Sequence, residues 1–275
     1  MNLKYYFSIL TAIGCTFILS SCENKSASSS EEPVPSVCRL NCPDSVLVYG
    51  IAKDGKENLS CVWHYQYDAN GNMIVSVRYS ARDFSVADSK IEMQYDAHNN
   101  LLERQDWSCN YGAKTLYKST QLLMTYYPDD KMATMQMNFW YGEESTPGKN
   151  AIYFWSDDTH ATTDVYAYHY MGDTTEWMLV DKAEYTYTAN GDIEYEKYIF
   201  SYYTIESASD KAIEYFYEYD QHNNATSYKL INSGRLEQYD TYSYTYDADG
   251  NILVKHTYTN TSGEPVLKTK EVYFY

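Results

Sequence analysis

The chain has 275 residues, 33 of them tyrosine, and its 38 acidic against 21 basic residues give a formal net charge of −17. Such a surface repels phosphate backbones and anionic head groups, and no Lys/Arg cluster offsets it, so nucleic acid is excluded as a partner. Ordinary aliphatics are sparse, which argues against both a close-packed Leu/Val core and the lipid-facing wall that a transmembrane barrel requires.

Lys4 followed by the short apolar run from Tyr5 to Leu19 reads as a secretory leader over residues 1–21, too short to span a bilayer comfortably. Leu19-Ser20-Ser21-Cys22 resembles the lipobox of bacterial lipoproteins, with an aliphatic residue, two small residues and then the cysteine. The resemblance implies that Cys22 is acylated and becomes the mature N-terminus. Loss of Lys4 with the leader would move the charge from −17 to −18. Residues 22–43 form the expected tether, rich in Ser26, Ser28, Ser29, Ser30, Glu31, Glu32, Pro33 and Pro35, with almost nothing to bury. More than one acyl chain makes such attachment stable, so the expected location is the cell envelope. The outer membrane of a Gram-negative bacterium is the expected site, periplasmic or surface side left open, and the membrane is contacted through the lipid alone.

Cys15 leaves with the leader and Cys22 takes lipid, which leaves Cys38, Cys42, Cys61 and Cys109. An even number of thiols outside the cytoplasm suggests disulfides. The first expectation ties the Cys38/Cys42 segment to the early repeats through Cys61 or Cys109; free buried thiols are the alternative. A four-cysteine zinc site lacks a second close pair, and neither metal nor cofactor is expected.

From residue 44 to 275 a motif recurs: Tyr67-Asp68-Ala69-Asn70-Gly71-Asn72, Tyr95-Asp96-Ala97-His98-Asn99-Asn100, Tyr219-Asp220-Gln221-His222-Asn223-Asn224 and Tyr246-Asp247-Ala248-Asp249-Gly250-Asn251. Looser copies begin at Tyr126, Trp155 and Tyr187, the last running Thr188-Ala189-Asn190-Gly191-Asp192. The residue after the aromatic falls at 68, 96, 127, 156, 188, 220 and 247, a period of roughly thirty residues in seven copies. Before each turn, apolar and polar residues alternate, as in Cys61, Trp63, Tyr65, Tyr67 against His64 and Gln66. Period two means strand, solvated on one face. A second strand departs after the turn, as over 73–79, 101–107, 193–200 and 252–259. Asn70-Gly71, Asn190-Gly191 and Asp249-Gly250 tolerate positive φ, and Asp68, Asp96, Asp220 and Asp247 are placed to accept backbone N–H bonds.

The expected fold is therefore all-β: an antiparallel meander of about seven repeated hairpins in a single domain, with strands near 47–53 and 266–275 bringing the total to 14–16. No helical domain follows the leader. Laid flat at ~4.8 Å per strand, so many strands exceed the ~10 that an open twisted sheet usually reaches, so the sheet must curl, spiral or close into a barrel. Charged residues on the terminal strands would protect any open edge.

With its Tyr-x-Tyr-Asp-x-x-Gly-Asn pattern, the region from Asp44 to Tyr275 resembles the YD-repeat proteins, also called Rhs or teneurin-type repeats, and especially small bacterial lipoproteins that carry them. The resemblance implies hairpins that wind into a spiral sheet, which in large members forms a shell around a cargo segment. This chain is too short for such a shell, and the family supplies no catalytic residues to transfer.

Asp247, Asp249 and Asn251 imitate the opening of an EF-hand loop, but Tyr258 stands where a bidentate Glu is required. No nucleophile elbow, phosphate loop or dinucleotide fingerprint occurs, so a non-enzymatic protein is expected. A glycoside-active enzyme would need two carboxylates facing each other in an aromatic cleft. The candidate binding face is aromatic: Trp63, Tyr65, Tyr67, Tyr95, Trp155, Tyr185, Tyr187, Tyr215, Tyr217, Tyr242 and Tyr244. These rings could stack on sugars or grip an extended peptide, or they could simply form the core of a curled sheet. The expected function is an envelope scaffold or binding surface for protein or glycan, with glycan capture for nutrition as the alternative.

Overall fold

The computed structural model describes residues 42–110, 114–171, 174–200, 212–260 and 263–275. The leader, Cys22, Cys38 and the tether to residue 41 lie outside the described residues. Strand β1 (Ser45–Ile51) leads into β2 (Glu57–Tyr67), and the first motif turn joins β2 to β3 (Met73–Ser80). The unit then repeats, with β4 (Ala87–Tyr95) and β5 (Leu101–Asn110) flanking the second turn and β6 (Thr115–Tyr126) and β7 (Met132–Tyr141) the third. Next come β8 (Glu144–Trp155) with β9 (His160–Met171), β10 (Thr174–Tyr187) with β11 (Ile193–Phe200), and β12 (Ala212–Tyr219) with β13 (Ala225–Asn232). The last turn joins β14 (Arg235–Tyr246) to β15 (Ile252–Thr259), and β16 (Val266–Phe274) ends the chain.

All sixteen strands are antiparallel to their neighbours and run in sequence order around one closed barrel. Closure comes from β1 and β16, which pair from Ser45 opposite Phe274 to Gly50 opposite Thr269. The terminal charges therefore guard no open edge: Lys270 Nζ instead reaches Glu57 Oε1 at 3.0 Å across the seam. Because β1 starts and β16 finishes beside the motif turns, all seven turns and both ends of the described chain share one rim.

The turn chemistry explains the repeat. Gly71 (φ 86°), Asn99 (69°), Asp130 (64°), Gly191 (87°), Asn223 (60°) and Gly250 (88°) occupy the same place in six turns. Each is in the left-handed region that glycine and asparagine reach most cheaply. In these six hairpins the register slips just before the motif aromatic, as between Gln66 and Tyr67 or Glu218 and Tyr219. The fourth, from Trp155 to Ala161, pairs without a slip.

Alternation divides the wall into two faces. Inside lie Met93, Leu122, Met124, Met137, Tyr153, Val165, Tyr185, Tyr198, Tyr215 and Tyr228, all buried. They form two apolar clusters, one spanning β3 to β7 and one spanning β7 to β14. Outside lie Lys90, Glu92, Gln94, Glu103, Gln121, Gln136, Asn150, Lys182, Glu184, Lys197, Glu214 and Glu218, interrupted by an apolar stretch at the seam around Leu47, Val62, Val254 and Val272. A transmembrane barrel turns apolar side chains out and polar ones in. Most of this wall does the reverse.

Candidate functional site

The motif rim is a belt of hydrogen bonds. Asp68 Oδ1 accepts from the N–H groups of Asn70 (2.9 Å) and Asn72 (2.8 Å), while its Oδ2 accepts from Asn72 Nδ2 at 2.9 Å. Asp96, Asp220 and Asp247 accept the same pair of backbone N–H bonds in their turns. In the fifth turn Thr188 Oγ1 takes over both bonds at 3.3 and 3.2 Å, so the missing carboxylate is replaced by a longer, uncharged acceptor. Neighbouring turns are also linked: Asn72 Nδ2 to Asn99 Oδ1 (2.9 Å), Asn100 Nδ2 to Asp130 Oδ1 (2.9 Å), Lys131 Nζ to Asp158 Oδ1 (2.7 Å) and Asn190 Nδ2 to Asn223 Oδ1 (2.8 Å).

At most turns the side chain of the motif aromatic ties its repeat to the segment before it, and Tyr275 at the end of the chain makes the same link. Tyr95 Oη donates to the carbonyl of Met73 at 3.0 Å, Tyr126 to Leu101 at 2.9 Å, Tyr219 to Ile193 at 2.7 Å and Tyr275 to Ile252 at 3.0 Å. Trp155 makes the same link through Nε1 to Met132 at 2.9 Å, and Tyr67 reaches Pro43 at 3.1 Å. Burial pushes the hydroxyls of Tyr95, Tyr126 and Tyr275 up to about 12. They stay protonated and remain donors at any physiological pH. The motif tyrosine is thus a latch, a role the sequence hides because donor and acceptor belong to different repeats. Its only trace is the steady 22–26 residue separation between donor and acceptor.

Asp220 joins both devices, accepting from His222 N (2.8 Å), Asn224 N (2.9 Å) and Tyr246 Oη (2.8 Å). Burial alone would raise its pKa, but these donors outweigh it and hold the carboxyl below its ordinary value. Its contribution is therefore present above the ordinary carboxylate range and lost as pH falls through the lowered folded value. We expect Asp220→Ala to cost roughly 3 kcal/mol in denaturant unfolding at pH 7, since three donors lose a charged acceptor. A variant of unchanged midpoint would show that the turn is held by its backbone alone.

Deeper inside, tyrosines pack on one another: Tyr153 and Tyr185 lie 5.8 Å apart between ring centroids, Trp155 and Tyr187 4.9 Å, and Tyr215 and Tyr228 6.2 Å. Among them sits Glu196, 2% exposed, accepting from Tyr198 Oη at 2.9 Å and Tyr217 Oη at 3.0 Å. Tyr185 Oη lies 3.1 Å from Tyr198 Oη and extends the network. Burial pushes the Glu196 carboxyl above its ordinary value against the pull of the two hydroxyls. Lys149 and Asp181 approach to 3.7 Å elsewhere on the inner wall, where burial lowers the lysine pKa and raises that of the aspartate.

Every ring of the expected binding face lies on this inner wall. Tyr185 (8% exposed) and Tyr215 (5%) are buried, and Trp63, Tyr65, Tyr67, Tyr95, Trp155, Tyr187, Tyr217, Tyr242 and Tyr244 are half-buried, so no exposed aromatic strip forms from this set. Many of their polar atoms are engaged internally, Tyr244 Oη donating to Ala225 O at 2.6 Å and Tyr217 Oη to Glu196. The turn residues Asp68, Gly71, Asp96, Asn190, Gly191, Asp220, Asp247 and Gly250 lie together on one rim, where His98 Nδ1 of the second turn also lies 3.0 Å from Asp130 Oδ1 of the third. Among the described residues, no group of three His, Cys, Asp or Glu side chains is placed to hold a metal ion.

The disulfide expected from the Cys38/Cys42 segment to Cys61 or Cys109 is not formed, because Cys61 and Cys109 carry free thiols. Geometry explains this. Cys42 lies against the first turn, its Sγ 3.7 Å from Gly71 O, whereas Cys61 sits six residues up β2, ~20 Å away at strand rise. Cys109 is at the far end of β5, three strands from Cys61, or ~14 Å, beyond the Cα separation a disulfide spans. The segment before β1 is nonetheless docked on the first repeat, through Cys42 and the Tyr67 latch.

Sequence reasoning missed the tryptophans of the outer wall, Trp107, Trp140 and, beside Tyr168 farther round the barrel, Trp177. Trp107 and Trp140 alternate with the inward Asp106 and Phe139 and so face outward beside Lys90, Glu92 and Lys118. Trp107 Nε1 donates to Glu92 Oε2 at 2.8 Å, and Lys118 Nζ lies 5.6 Å from the Trp107 ring centroid and 4.5 Å from that of Trp140. Their parity was the available signal, since both fall on the polar side of the alternation.

No protein-family model matches the chain, and no curated protein matches it. Among solved structures it is similar to a porin-like protein from Bacteroides vulgatus ATCC 8482, at 15% identity and a TM-score of 0.36 over 84% of this chain and 98% of that one. It is also similar to part of the complex TcdB2-TccC3-TEV, at 12% identity and a TM-score of 0.34 over 83% of this chain and 14% of that one. A DUF3836 family protein from Bacteroides vulgatus ATCC 8482 matches 34% of this chain and 91% of its own, at 10% identity and a TM-score of 0.28. The architecture rests on the chain's own strand register.

Proposed function

We propose that this chain is a non-enzymatic, lipid-anchored protein of the bacterial cell envelope, built as a YD-like repeat barrel that serves as a rigid scaffold with its binding surface on the outer wall. The observation that carries this reading is the division of the barrel's two faces. The inner aromatic wall spends its hydroxyls on the Glu196 network and on latches between repeats, while the outer wall is mostly polar and open. The tether joins the barrel at the motif rim, where Pro43 accepts the Tyr67 hydroxyl, so an anchor at Cys22 would attach the barrel by that rim. Protein or glycan is the ligand class for such a wall.

The anchoring is tested by fractionation. Wild-type protein should partition with membranes and into the detergent-rich phase, and Cys22→Ala should move to the soluble fraction. A Cys22→Ala variant that stays with membranes would overturn the anchor.

Glycan capture is the second reading, favoured by one observation: three of the five tryptophans, Trp107, Trp140 and Trp177, stand on the outer wall.

A further inference from the structure

Four adjacent strands, β4 to β7, carry two of the outward tryptophans in one transverse row. The row runs Lys90, Trp107, Lys118, Trp140, with Lys90 opposite Trp107 and Trp107 opposite Lys118 in the strand register. Lys90 is paired with Glu92 at 2.6 Å, and Glu92 is also held by Trp107 Nε1, so that charge is spent within the wall. Lys118 differs, since its ammonium sits between the two indole rings and makes no ion pair among the described residues. Its ammonium is flanked by two flat apolar rings and feels Glu92 through space without a direct contact, on a chain with a net charge of −17.

The next transverse row toward the motif rim is polar: Gln105, Gln121 and Asn138 lie opposite one another across β5, β6 and β7. Asn138 Nδ2 donates to Gln121 Oε1 at 3.1 Å, which fixes the amides as a ladder. Two buried polar atoms of this patch have no partner, Gln105 Oε1 and Trp140 Nε1. Trp140 Nε1 belongs to the ring whose centroid lies 4.5 Å from Lys118 Nζ, so an unpartnered donor and a positive charge sit side by side, the complement of a ligand with hydroxyls and one negative charge.

We propose that this patch binds an acidic sugar, a uronic or sialic acid residue of a glycan chain, with its carboxylate on Lys118 and its ring faces against Trp107 and Trp140. The proposal deepens the outer-wall reading above and rests on it. A carboxylate satisfies the charge, and the sugar ring covers apolar indole surface that water solvates poorly. Local charge selects one source among polyanions: Glu92 and Glu103 beside the patch disfavour a densely charged phosphate or sulfate polymer and tolerate one carboxylate per sugar.

The test is affinity electrophoresis of the full-length protein in detergent, through native gels containing polygalacturonate or the same polymer fully methyl-esterified. Wild type should be retarded by the acid and not by the ester, and Lys118→Gln should weaken retardation about tenfold. Trp140→Ala should do the same and Trp140→Phe should keep part of the binding, with equal thermal midpoints showing that the fold is intact. Equal retardation by acid and ester would overturn the carboxylate assignment, and no retardation by either would overturn the site. Binding unchanged in both Lys118→Gln and Trp140→Ala would place it elsewhere and overturn the proposal too. Because Lys118→Gln leaves Cys22 intact, its membrane fractionation reports the anchor separately.

Discussion

Removing residues 266–275 should abolish the monomeric folded state. Strand β16 pairs with β1 and with β15 over six residues on each side, so its loss deletes about twelve ladder positions at once. At roughly 1 kcal/mol net for each hydrogen bond, the loss of about 10 kcal/mol matches the whole stability of an ordinary domain. Tyr273 also goes, with its 2.7 Å bond to Glu271, and the Lys270 bridge to Glu57 with it. The truncation converts a barrel without edges into a sheet with two, β1 and β15, each able to pair with another chain. Size-exclusion chromatography with light scattering should show aggregates where the full chain gives a single species. A truncated monomer with an unchanged melting temperature would mean that closure contributes little and that the repeats hold as an open spiral.

Closure is also where sequence and structure part. The hairpins were legible because each is local: Asn70-Gly71 or Asp249-Gly250 names its own turn, and the alternation of Trp63, Tyr65 and Tyr67 with His64 and Gln66 names its own face. Even the altered fifth turn follows this chemistry, with Thr188 standing in for Asp. The number of strands followed from counting. What stayed hidden depends on partners far apart in the chain. The pairing of Ser45 with Phe274, and the latches from Tyr95 to Met73 and Tyr219 to Ile193, are set by how repeats stack in space. The aromatic residues were visible and so was an inner aromatic face, but period two does not say whether such a face packs as a core or stays open to a ligand. The outer tryptophans were lost for a different reason: Trp107 and Trp140 broke the expected polarity of their face, and a ring on the polar side was the informative exception.

The buried carboxylate gives the second large effect. Glu196 sits at the meeting point of Tyr185, Tyr198 and Tyr217, and Glu196→Ala would remove the charged acceptor that Tyr198 and Tyr217 share and open a cavity beside them. The expected cost is about 3 kcal/mol at pH 5, read from denaturant unfolding. Glu196→Gln separates the charge from the packing, because the amide has nearly the same shape and can serve both hydroxyls. The direction of its pH effect follows from burial, which raises the folded pKa of Glu196 above the ordinary value of 4.5. A group raised on folding stabilises fully below its unfolded pKa, and that contribution fades as pH climbs through the raised folded value. Wild type should therefore lose stability from about pH 4.5 upward relative to Glu196→Gln, and the variant should be the more stable of the two at pH 8. Other carboxylates titrate in both proteins and cancel in the difference. If the gap between wild type and Glu196→Gln stayed constant from pH 4 to pH 8, the carboxyl would be ionised at no cost, and the hydroxyl network around it would have to be solvating a full charge.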